Sequence, residues 1–287
     1  MEAKEGNIGN AVNFHFSVVP AAGKLPTAGK PLLEGSGTLG DVTIIMGRPR
    51  TGKSLFLRYL FALLTEDYEL AMRASEQILD NGGWVKLRVG DIQLSCSKSD
   101  DGKVGCDITP HPREEAYLFY EGVLFTLKHR LISPESAEVA NAMARLLERV
   151  ARYREGRWRY DISYSDSDKK LYEHVDGRLI DSAFASAAVV TAGVLERVFL
   201  LNAWLLLDGA MDVLFPAEVF YLAGRASSAR ARLVVVTHSP WVLDVFRCGR
   251  AAADVKAYEF AEGKIKEIGL STKTYGDVFE KLYVLCG

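Results

Sequence analysis

The stretch GRPRTGKS, at residues 47–54, constrains this chain more than any other feature of its sequence. It satisfies the pattern G-x-x-x-x-G-K-[ST] of a phosphate-binding loop. In that pattern the glycines leave room for backbone N–H groups to curl around a phosphate, the lysine reaches the β- and γ-phosphates, and the serine hydroxyl binds Mg²⁺. We therefore expect a bound nucleotide to contact six residues of the loop: Gly47, Arg50, Thr51, Gly52, Lys53 and Ser54.

The sequence on either side of the loop supports this interpretation. Residues 41–46, DVTIIM, are apolar and β-branched, which predicts a strand. Residues 54–64, SLFLRYLFALL, predict a helix, whose positive dipole end would point at the same anion. The alternative is a glycine-rich turn before a buried helix, without a ligand.

A second pair of apolar strands is predicted near the end of the chain. Residues 203–207, AWLLL, are followed by Asp208, which we expect to hold Mg²⁺ through water. Residues 233–236, LVVV, are followed by Thr237 and His238. Polar residues that end buried strands lie at the carboxyl edge of the sheet, where α/β folds bind ligands. His238 is therefore a candidate partner of a γ-phosphate, and a helix-capping or loop histidine is the alternative.

The order and spacing of these motifs resemble the ABC-type ATPases, in the SMC-like and archaeal AAA-type branch that lacks a transporter. The resemblance covers residues 41–65 and 183–246. Relatives carry a stretch like EEPEAHLHP, where this chain has DGAMDVLFP at residues 208–216. Their THSP sequence reappears as THSPWVL at residues 237–243.

The resemblance implies an α/β P-loop NTPase fold of the ABC/SMC-like type. Such a fold has a mainly parallel sheet flanked by helices, antiparallel hairpins and a small helical lobe. We predict that residues 1–110 form the N-terminal part with the phosphate loop, 111–160 the helical lobe, and 161–287 the C-terminal part. Helices predicted over residues 113–132 and 134–155 would make up the lobe.

This sequence departs from its relatives at the residue that activates water. Active relatives have a glutamate after the magnesium aspartate, and this chain has Gly209, which cannot act as a base. The next acid is Asp212, which would reach the site only if the turn folds it back. Loss of a general base typically lowers a rate by ~10²–10⁴, so slow turnover remains allowed.

The second departure lies in the signature motif. Relatives carry a Ser-x-Gly-like stretch whose serine contacts the γ-phosphate held by the opposing subunit. The matching residues 184–188, FASAA, keep Ser186 and lack the glycine, so an added Cβ would crowd the phosphate. A helix is predicted over residues 187–200, and an ordinary helix N-cap explains Ser186 equally well.

From the resemblance we expect an ATP- and Mg²⁺-binding protein in which ATP closes two subunits through the nucleotide face. The dimer would be a homodimer or a heterodimer, a protein partner would read the closed state, and hydrolysis would be slow or absent. One alternative is an active ATPase of a DNA repair or defence complex, with Asp212 or a partner supplying the base. Others are a nucleotide-free scaffold and a P-loop kinase, which leaves the Thr-His pair unexplained.

Charge and hydropathy narrow the remaining partners. The formal net charge of −2 gives no basic field over the whole protein, so nucleic acid would need a local patch. Either such a patch or a solvated helix face is predicted by a run of six arginines: Arg145, Arg149, Arg152, Arg154, Arg157 and Arg159. The longest apolar region, residues 198–207, is too short to span a bilayer, and the N-terminus lacks a secretion signal. We therefore expect a cytoplasmic protein without membrane insertion.

Two cysteines flank a predicted hairpin turn. Cys96 and Cys106 enclose SKSDDGKVG, and with a three-residue loop they would face each other across the strands. Both redox states stay open, because most cytosols keep thiols reduced and hyperthermophiles are an exception. The chain has only two Gln and six Asn, which fits a thermophile, with compositional drift as the alternative.

The resemblance also suggests two peripheral roles. Phe14 or Phe16, on a strand predicted over residues 13–19, would stack on adenine, and core packing is the alternative. Gln93, in a hairpin predicted over residues 84–108, is a weak candidate for the family's magnesium-sensing glutamine, because its spacing does not fit well.

Overall fold

The computed structural model describes residues 11–20, 32–112, 114–120, 158–165, 167, 170–181, 186–226, 231–248 and 254–269. The strands in these ranges are β1 Val12–Val19, β2 Leu33–Leu39, β3 Val42–Met46, β4 Trp84–Val89, β5 Ile92–Lys98, β6 Val104–Thr109, β7 Ala116–Tyr120, β8 Ile162–Ser165, β9 Lys170–Val175, β10 Arg178–Asp181, β11 Trp204–Asp208, β12 Arg232–Val236, β13 Val255–Ala261 and β14 Lys264–Glu267. The helices are α1 Lys53–Thr65, α2 Tyr68–Ile78, α3 Ala187–Val198, α4 Pro216–Ala226 and α5 Pro240–Cys248.

One large sheet organises the molecule. Within the described ranges its eleven strands follow the order β6-β5-β4-β1-β2-β14-β13-β3-β12-β11-β7. The run β13-β3-β12-β11-β7 is parallel throughout, whereas β6-β5-β4-β1-β2 is an antiparallel wing. Strand β14 pairs with β13 and with β2 and so links the two parts. A separate sheet has the order β10-β9-β8.

The parallel strands are apolar because helices cover both of their faces. Every residue of β3 and of β12 is buried. Along β11, Leu205 and Leu207 join the core formed with α3, α4 and α5, and Leu206 joins the core formed with α1 and α2. Successive side chains of a strand point to opposite faces, so the run AWLLL serves two cores at once.

Helices α1 and α2 form a corner beneath the antiparallel wing. Helix α1 ends at Glu66, which adopts the left-handed conformation with φ 57°. The side chain of Asp67 then caps α2 by accepting a 2.9 Å hydrogen bond from the N–H of Leu70. The two helices are joined by a 2.6 Å hydrogen bond between the hydroxyls of Tyr59 and Ser75, and burial raises the pKa of Tyr59 to about 12.

On the opposite face, α3 carries two buried charges that are fully engaged. Glu196 has no exposed surface and accepts hydrogen bonds from the backbone N–H of Arg159 and from the hydroxyl of Tyr221 on α4. Arg197 donates to the carbonyl oxygen of Tyr160 at 3.1 Å. Burial, together with the hydrogen bond to Glu196, raises the pKa of Tyr221 to about 12. Buried charges persist when they are paired in this way, so α3, α4 and the chain before β8 are held together.

Two predictions about local structure are wrong in part. The helix predicted over residues 113–132 is contradicted by β7, whose residues pair in parallel register with β11. AYLFY is rich in aromatic residues, and the open edge of β11 offers backbone partners that outweigh helical propensity. The hairpin predicted over residues 84–108 is a three-stranded meander, because a further turn at Gly90, with φ 59°, separates β4 from β5.

Other parts of the predicted helical lobe lie outside the described residues. These include residues 121–157, and with them the second predicted helix and five of the six arginines. The sixth, Arg159, lies over the rings of Tyr160 and Tyr221, with its guanidinium carbon 5.7 Å and 5.0 Å from the ring centroids. Within the described ranges, no helix is long and apolar enough to cross a membrane.

The predicted register of the cysteine hairpin is confirmed. Cys96 on β5 lies directly opposite Cys106 on β6, with their Cα atoms 4.1 Å apart, and the two form a disulfide. The backbone N–H of Ser99 bonds to the carbonyl oxygen of Lys103, which closes a three-residue loop between them. The disulfide therefore joins the outermost strand of the wing to its neighbour.

Candidate functional site

The loop after β3 adopts a backbone that only glycine accommodates at two points. Gly47 has φ 143° and Gly52 has φ 93°, and Gly52 occupies the N-cap position of α1. A Cβ on Gly47 would lie 2.4 Å from the carbonyl oxygen of Phe260, and one on Gly52 would lie 2.6 Å from Leu33 Cδ2. The motif glycines are thus required by close packing of the loop against β13 and β2.

Lys53 is folded back over the loop. Its Nζ donates 2.7 Å hydrogen bonds to the carbonyl oxygens of Gly47 and Arg48, and it lies 3.4 Å from Oγ1 of Thr51. Burial lowers the pKa of Lys53, and the negative charges of nearby carboxylates, Asp208 first, oppose that shift. The ammonium is therefore held in a desolvated position at the centre of the loop.

Ser54 and Asp208 meet although they are 154 residues apart in sequence. The hydroxyl of Ser54 donates a 3.0 Å hydrogen bond to Oδ1 of Asp208, which ends β11. Burial raises the pKa of Asp208, and the Ser54 hydrogen bond and the charges of Arg58, His238 and Lys53 counteract the rise. A hydroxyl and a carboxylate at this distance are a suitable oxygen pair for Mg²⁺, which usually keeps several waters and phosphate oxygens as its other ligands.

A site of that kind does not need a dense cluster of protein ligands. In the part of the chain that the structure describes, no group of three or more His, Cys, Asp or Glu side chains could hold a metal ion. Ser54 and Asp208 fit a cation that takes its other ligands from a phosphate and from water.

The turn after β11 folds Asp212 back onto the edge of the sheet. Gly209 has φ 72°, and its N–H donates a 3.0 Å hydrogen bond to the carbonyl oxygen of Val236. The carboxylate of Asp212 accepts one hydrogen bond from the hydroxyl of Thr237 and another, of 3.0 Å, from the backbone N–H of His238. Asp212 thus connects the end of β11 to the end of β12.

The Thr237–His238 pair is anchored by its backbone and by one side chain. Thr237 is fully buried, and its N–H donates a 3.0 Å hydrogen bond to the carbonyl oxygen of Ile45 on β3. Its hydroxyl oxygen also accepts a 3.0 Å hydrogen bond from the N–H of Ser239. His238 is exposed, in contrast to its neighbour. This pattern leaves the imidazole at the carboxyl edge of the sheet, beside the strand that leads into the loop.

Ser186 occupies the N-cap position of α3, as one of the two interpretations predicts. Its side chain nevertheless forms no capping hydrogen bond, and only its carbonyl oxygen receives the helical N–H of Val190, at 3.0 Å. The residue is exposed. The structure therefore leaves the hydroxyl available at the surface, and within the described residues no hydrogen bond joins it to the phosphate loop.

The peripheral candidates do not join the site. Phe14 and Phe16 are buried and pack against Phe56, with ring centroids 5.4 Å apart in both pairs, so core packing accounts for them. Gln93 lies on β5 in the outer wing, where its amide contacts Oγ of Ser95 at 3.0 Å. Neither observation supports a role in binding adenine or in sensing magnesium.

Sequence reasoning missed two neighbours of the loop. Leu33 approaches Gly52 from β2, a strand that no motif predicted. Arg58 lies one helical turn after Ser54 on α1, and its charge acts on Asp208. The four-residue spacing between Ser54 and Arg58 places these two side chains on one helix face, so it could have revealed Arg58. The position of Leu33 depends on tertiary packing.

Comparison with solved structures fits this geometry. The chain is similar to an SMC head bound to the C-terminal winged-helix domain of ScpA, with a TM-score of 0.57 and 13% identity over 93% of this chain and 99% of that one. The chain has an ABC-type ATPase fold. It is also similar to the recombination mediator protein RecF-ATPrS of the RecFOR pathway, with a TM-score of 0.50 and 11% identity over 91% of this chain and 99% of that one.

Comparison by sequence gives no such match. No family model matches the chain, and no curated protein matches it either. The predicted α/β fold of the ABC/SMC-like P-loop type is nevertheless confirmed by the sheet and by these neighbours.

Proposed function

We propose that this cytoplasmic protein binds Mg-ATP at residues 47–54 and uses it to hold two subunits together, with slow or absent hydrolysis. The observation that carries the proposal is the hydrogen bond between Ser54 and Asp208. It brings the two expected magnesium ligands together at the carboxyl edge of a parallel sheet. That edge is where α/β folds bind nucleotides, and a tight glycine loop lies beside it.

Lys53 would bind the phosphates by exchanging its partners. Its ammonium donates hydrogen bonds to the carbonyl oxygens of Gly47 and Arg48, and burial lowers its pKa. Asp208 carries the opposite perturbation, since burial raises its pKa. Bound Mg²⁺ supplies positive charge beside Asp208, and phosphate supplies negative charge beside Lys53. Both ionised side chains would therefore be more stable in the loaded site than in the free one.

Slow hydrolysis is supported by the chemistry of the turn after Asp208. Gly209 offers no side chain that could take a proton from water. The nearby Asp212 uses each carboxylate oxygen to accept a hydrogen bond from the end of β12. A carboxylate oxygen retains a second lone pair, so a basic role for Asp212 is weakened and still testable.

Closure of two subunits is supported by Ser186. Its hydroxyl is exposed at the start of a twelve-residue helix and is not used for capping. A second subunit that faces it with a loaded loop would find a hydroxyl donor there, together with the positive end of the α3 dipole. We propose a homodimer or a heterodimer of this kind, read by a protein partner, as the SMC head is bound by ScpA.

The binding test uses a fluorescent ATP analogue with Mg²⁺ and three proteins: the wild type, Lys53→Ala and Lys86→Ala. Lys86 is a matched control, because its ammonium lies over the Trp84 ring at 5.0 Å on the antiparallel wing. We expect Lys53→Ala to weaken binding by at least about tenfold, equivalent to about 1.4 kcal/mol, and Lys86→Ala to bind like the wild type. Equal affinity of Lys53→Ala and wild type would overturn the proposal. Light scattering with and without ATP tests the dimer.

A second candidate function is an active ATPase that uses Asp212 as its base. The observation that favours it is the turn that brings this carboxylate back to the edge of the sheet. Mg-ATP turnover at elevated temperature, compared with Lys53→Ala, separates the two functions. Turnover well above that variant would favour the enzyme, and no ATP binding at all would favour a scaffold.

A further inference from the structure

The carboxylate of Asp212 accepts hydrogen bonds from two consecutive residues at the end of β12. Asp212 accepts the hydroxyl hydrogen of Thr237 at Oδ1 and the backbone N–H of His238 at Oδ2. Thr237 is fully buried, so its hydroxyl needs a partner inside the protein. The main chain at His238 is thereby fixed from the β11 side of the sheet.

We propose that Asp212 is a positioning residue that holds the main chain of His238 so that the imidazole faces the γ-phosphate of bound ATP. This inference rests on the proposed function, because it needs ATP at residues 47–54. Asp212 then acts by hydrogen bonding, and it does not have to accept a proton from water.

The turn before Asp212 explains why this residue can reach. Gly209 takes a left-handed conformation with φ 72° and donates its N–H to Val236, and the N–H of Asp212 bonds back to the carbonyl oxygen of Gly209 at 2.9 Å. A residue with a Cβ would be strained at that φ. The glycine that deprives the site of a base therefore also allows the turn that places Asp212 against His238.

The hydrogen bond from the N–H of His238 to Asp212 matters because a backbone N–H at the end of a strand would otherwise bond to water. His238 follows β12, its side chain is exposed, and the N–H of Thr237 is the one that bonds to β3. Without Asp212 the peptide between Thr237 and His238 would lose its second anchor, and the direction of the Cα–Cβ bond that carries the imidazole would no longer be fixed. A hydrogen bond from the imidazole to a γ-phosphate depends on that direction, whereas the contacts made by the phosphate loop do not.

The experiment compares Asp212→Ala and Asp212→Asn in the full chain. Asparagine keeps an oxygen that can accept the N–H of His238, and its NH₂ can donate to the hydroxyl of Thr237. It cannot act as a base at neutral pH. The readouts are the ratio of affinities for fluorescent ATP and ADP analogues with Mg²⁺, and the hydrogen-exchange rate of the peptide that contains His238 without nucleotide.

We expect Asp212→Ala to lower the preference for ATP over ADP by about tenfold, equivalent to about 1.4 kcal/mol. His238→Ala should lower it to a similar extent, and the double variant should lose no more than either single variant, because the two residues act as a unit. Asp212→Asn should change the ATP-to-ADP affinity ratio by less than about threefold, well below the tenfold loss expected for Asp212→Ala. Exchange at His238 should be faster in Asp212→Ala alone.

Asp67 supplies the matched control. Its carboxylate also accepts a backbone N–H, that of Leu70, and it lies beyond the far end of α1. Asp67→Ala should lower thermal stability without changing the ATP-to-ADP ratio. If Asp212→Ala is too unstable to purify, Thr237→Val removes one of the two bonds and takes its place.

Two results would overturn the inference. An unchanged ATP-to-ADP affinity ratio in Asp212→Ala would show that the hydrogen bond between Asp212 and His238 does not affect binding of the γ-phosphate. An equal loss in Asp212→Asn and Asp212→Ala would show that the charge, and not the hydrogen bonding, is what matters. If the wild type binds neither nucleotide, the proposed function fails and this inference fails with it, whereas either of the two results above overturns the inference alone.

Discussion

The hydroxyl of Ser54 donates a 3.0 Å hydrogen bond to Oδ1 of Asp208, and this contact joins the first turn of α1 to the end of β11. Its consequence is that the fold itself aligns the two oxygens with each other. Burial raises the pKa of Asp208, and the hydrogen bond from Ser54 offsets part of the rise. Proteins often tolerate such a perturbed group at a functional site, because the ligand compensates for it.

The first prediction concerns Asp208→Asn. Because the pKa of Asp208 is raised above 3.8 in the folded state, the folded protein binds more protons than the unfolded chain between the two pKa values. Stability therefore falls as the pH rises through that interval, and the ionised carboxylate remains a net cost at neutral pH. We expect the ligand-free variant to melt about 2 °C higher than the wild type near neutral pH. The measurement is the melting temperature from about pH 4 to about pH 8.

The advantage of the variant should shrink as the pH falls, because protonation of Asp208 removes the cost of its buried charge in the wild type. Asp67→Asn is the control, because asparagine caps a helix as well as aspartate does. An Asp208→Asn protein that is less stable than the wild type at neutral pH would contradict the argument. The same variant should lose most of the stabilisation by Mg-ATP.

The second prediction contrasts two glycines. Gly209→Ala places a Cβ at φ 72° and should destabilise the protein by about 1 kcal/mol. Gly224 lies on the exposed side of α4, where a Cβ would meet nothing within 4 Å, so Gly224→Ala should stabilise by up to about 1 kcal/mol. Urea denaturation of both variants checks the opposite signs. A stabilised Gly209→Ala would mean that the turn does not need its left-handed residue.

The third prediction concerns the disulfide between Cys96 and Cys106, which are ten residues apart in sequence. Closing a loop of this size in the unfolded chain should stabilise the fold by about 3 kcal/mol. We therefore expect a reducing agent to lower the melting temperature of the wild type by several degrees. The double variant with both cysteines changed to alanine should melt at the reduced value and show no response to the reductant. A wild type without such a response would contradict the prediction.

Much of the fold was predictable because its signals are local. The loop of residues 47–54 and its flanking strand and helix are each encoded by a contiguous pattern. The facing positions of Cys96 and Cys106 follow from the symmetry of one short turn. The ends of β11 and β12 were also predictable, because each apolar run stops at a polar residue.

The parts that could not be predicted depend on distant partners. β7 is a strand because β11 offers it an open edge, and nothing in AYLFY alone reveals that edge. The return of Asp212 depends on the φ of Gly209, and a glycine in a sequence does not state which conformation it takes. The exposure of the Ser186 hydroxyl could not be predicted either, because it depends on α3 forming without a capping hydrogen bond from that side chain.

The position of β3 in the sheet also has a consequence for synthesis on the ribosome. This fully buried strand has β12 on one side and β13 on the other, so that Val42 pairs with Leu233 and with Val255. At about 5–20 residues per second, the roughly 190 residues that separate β3 from β12 correspond to a wait of about 10–40 s. During that time the nascent chain carries an apolar strand with two unpaired edges, a template for pairing with the wrong chain. The N-terminal half is therefore exposed to mispairing until the C-terminal half emerges.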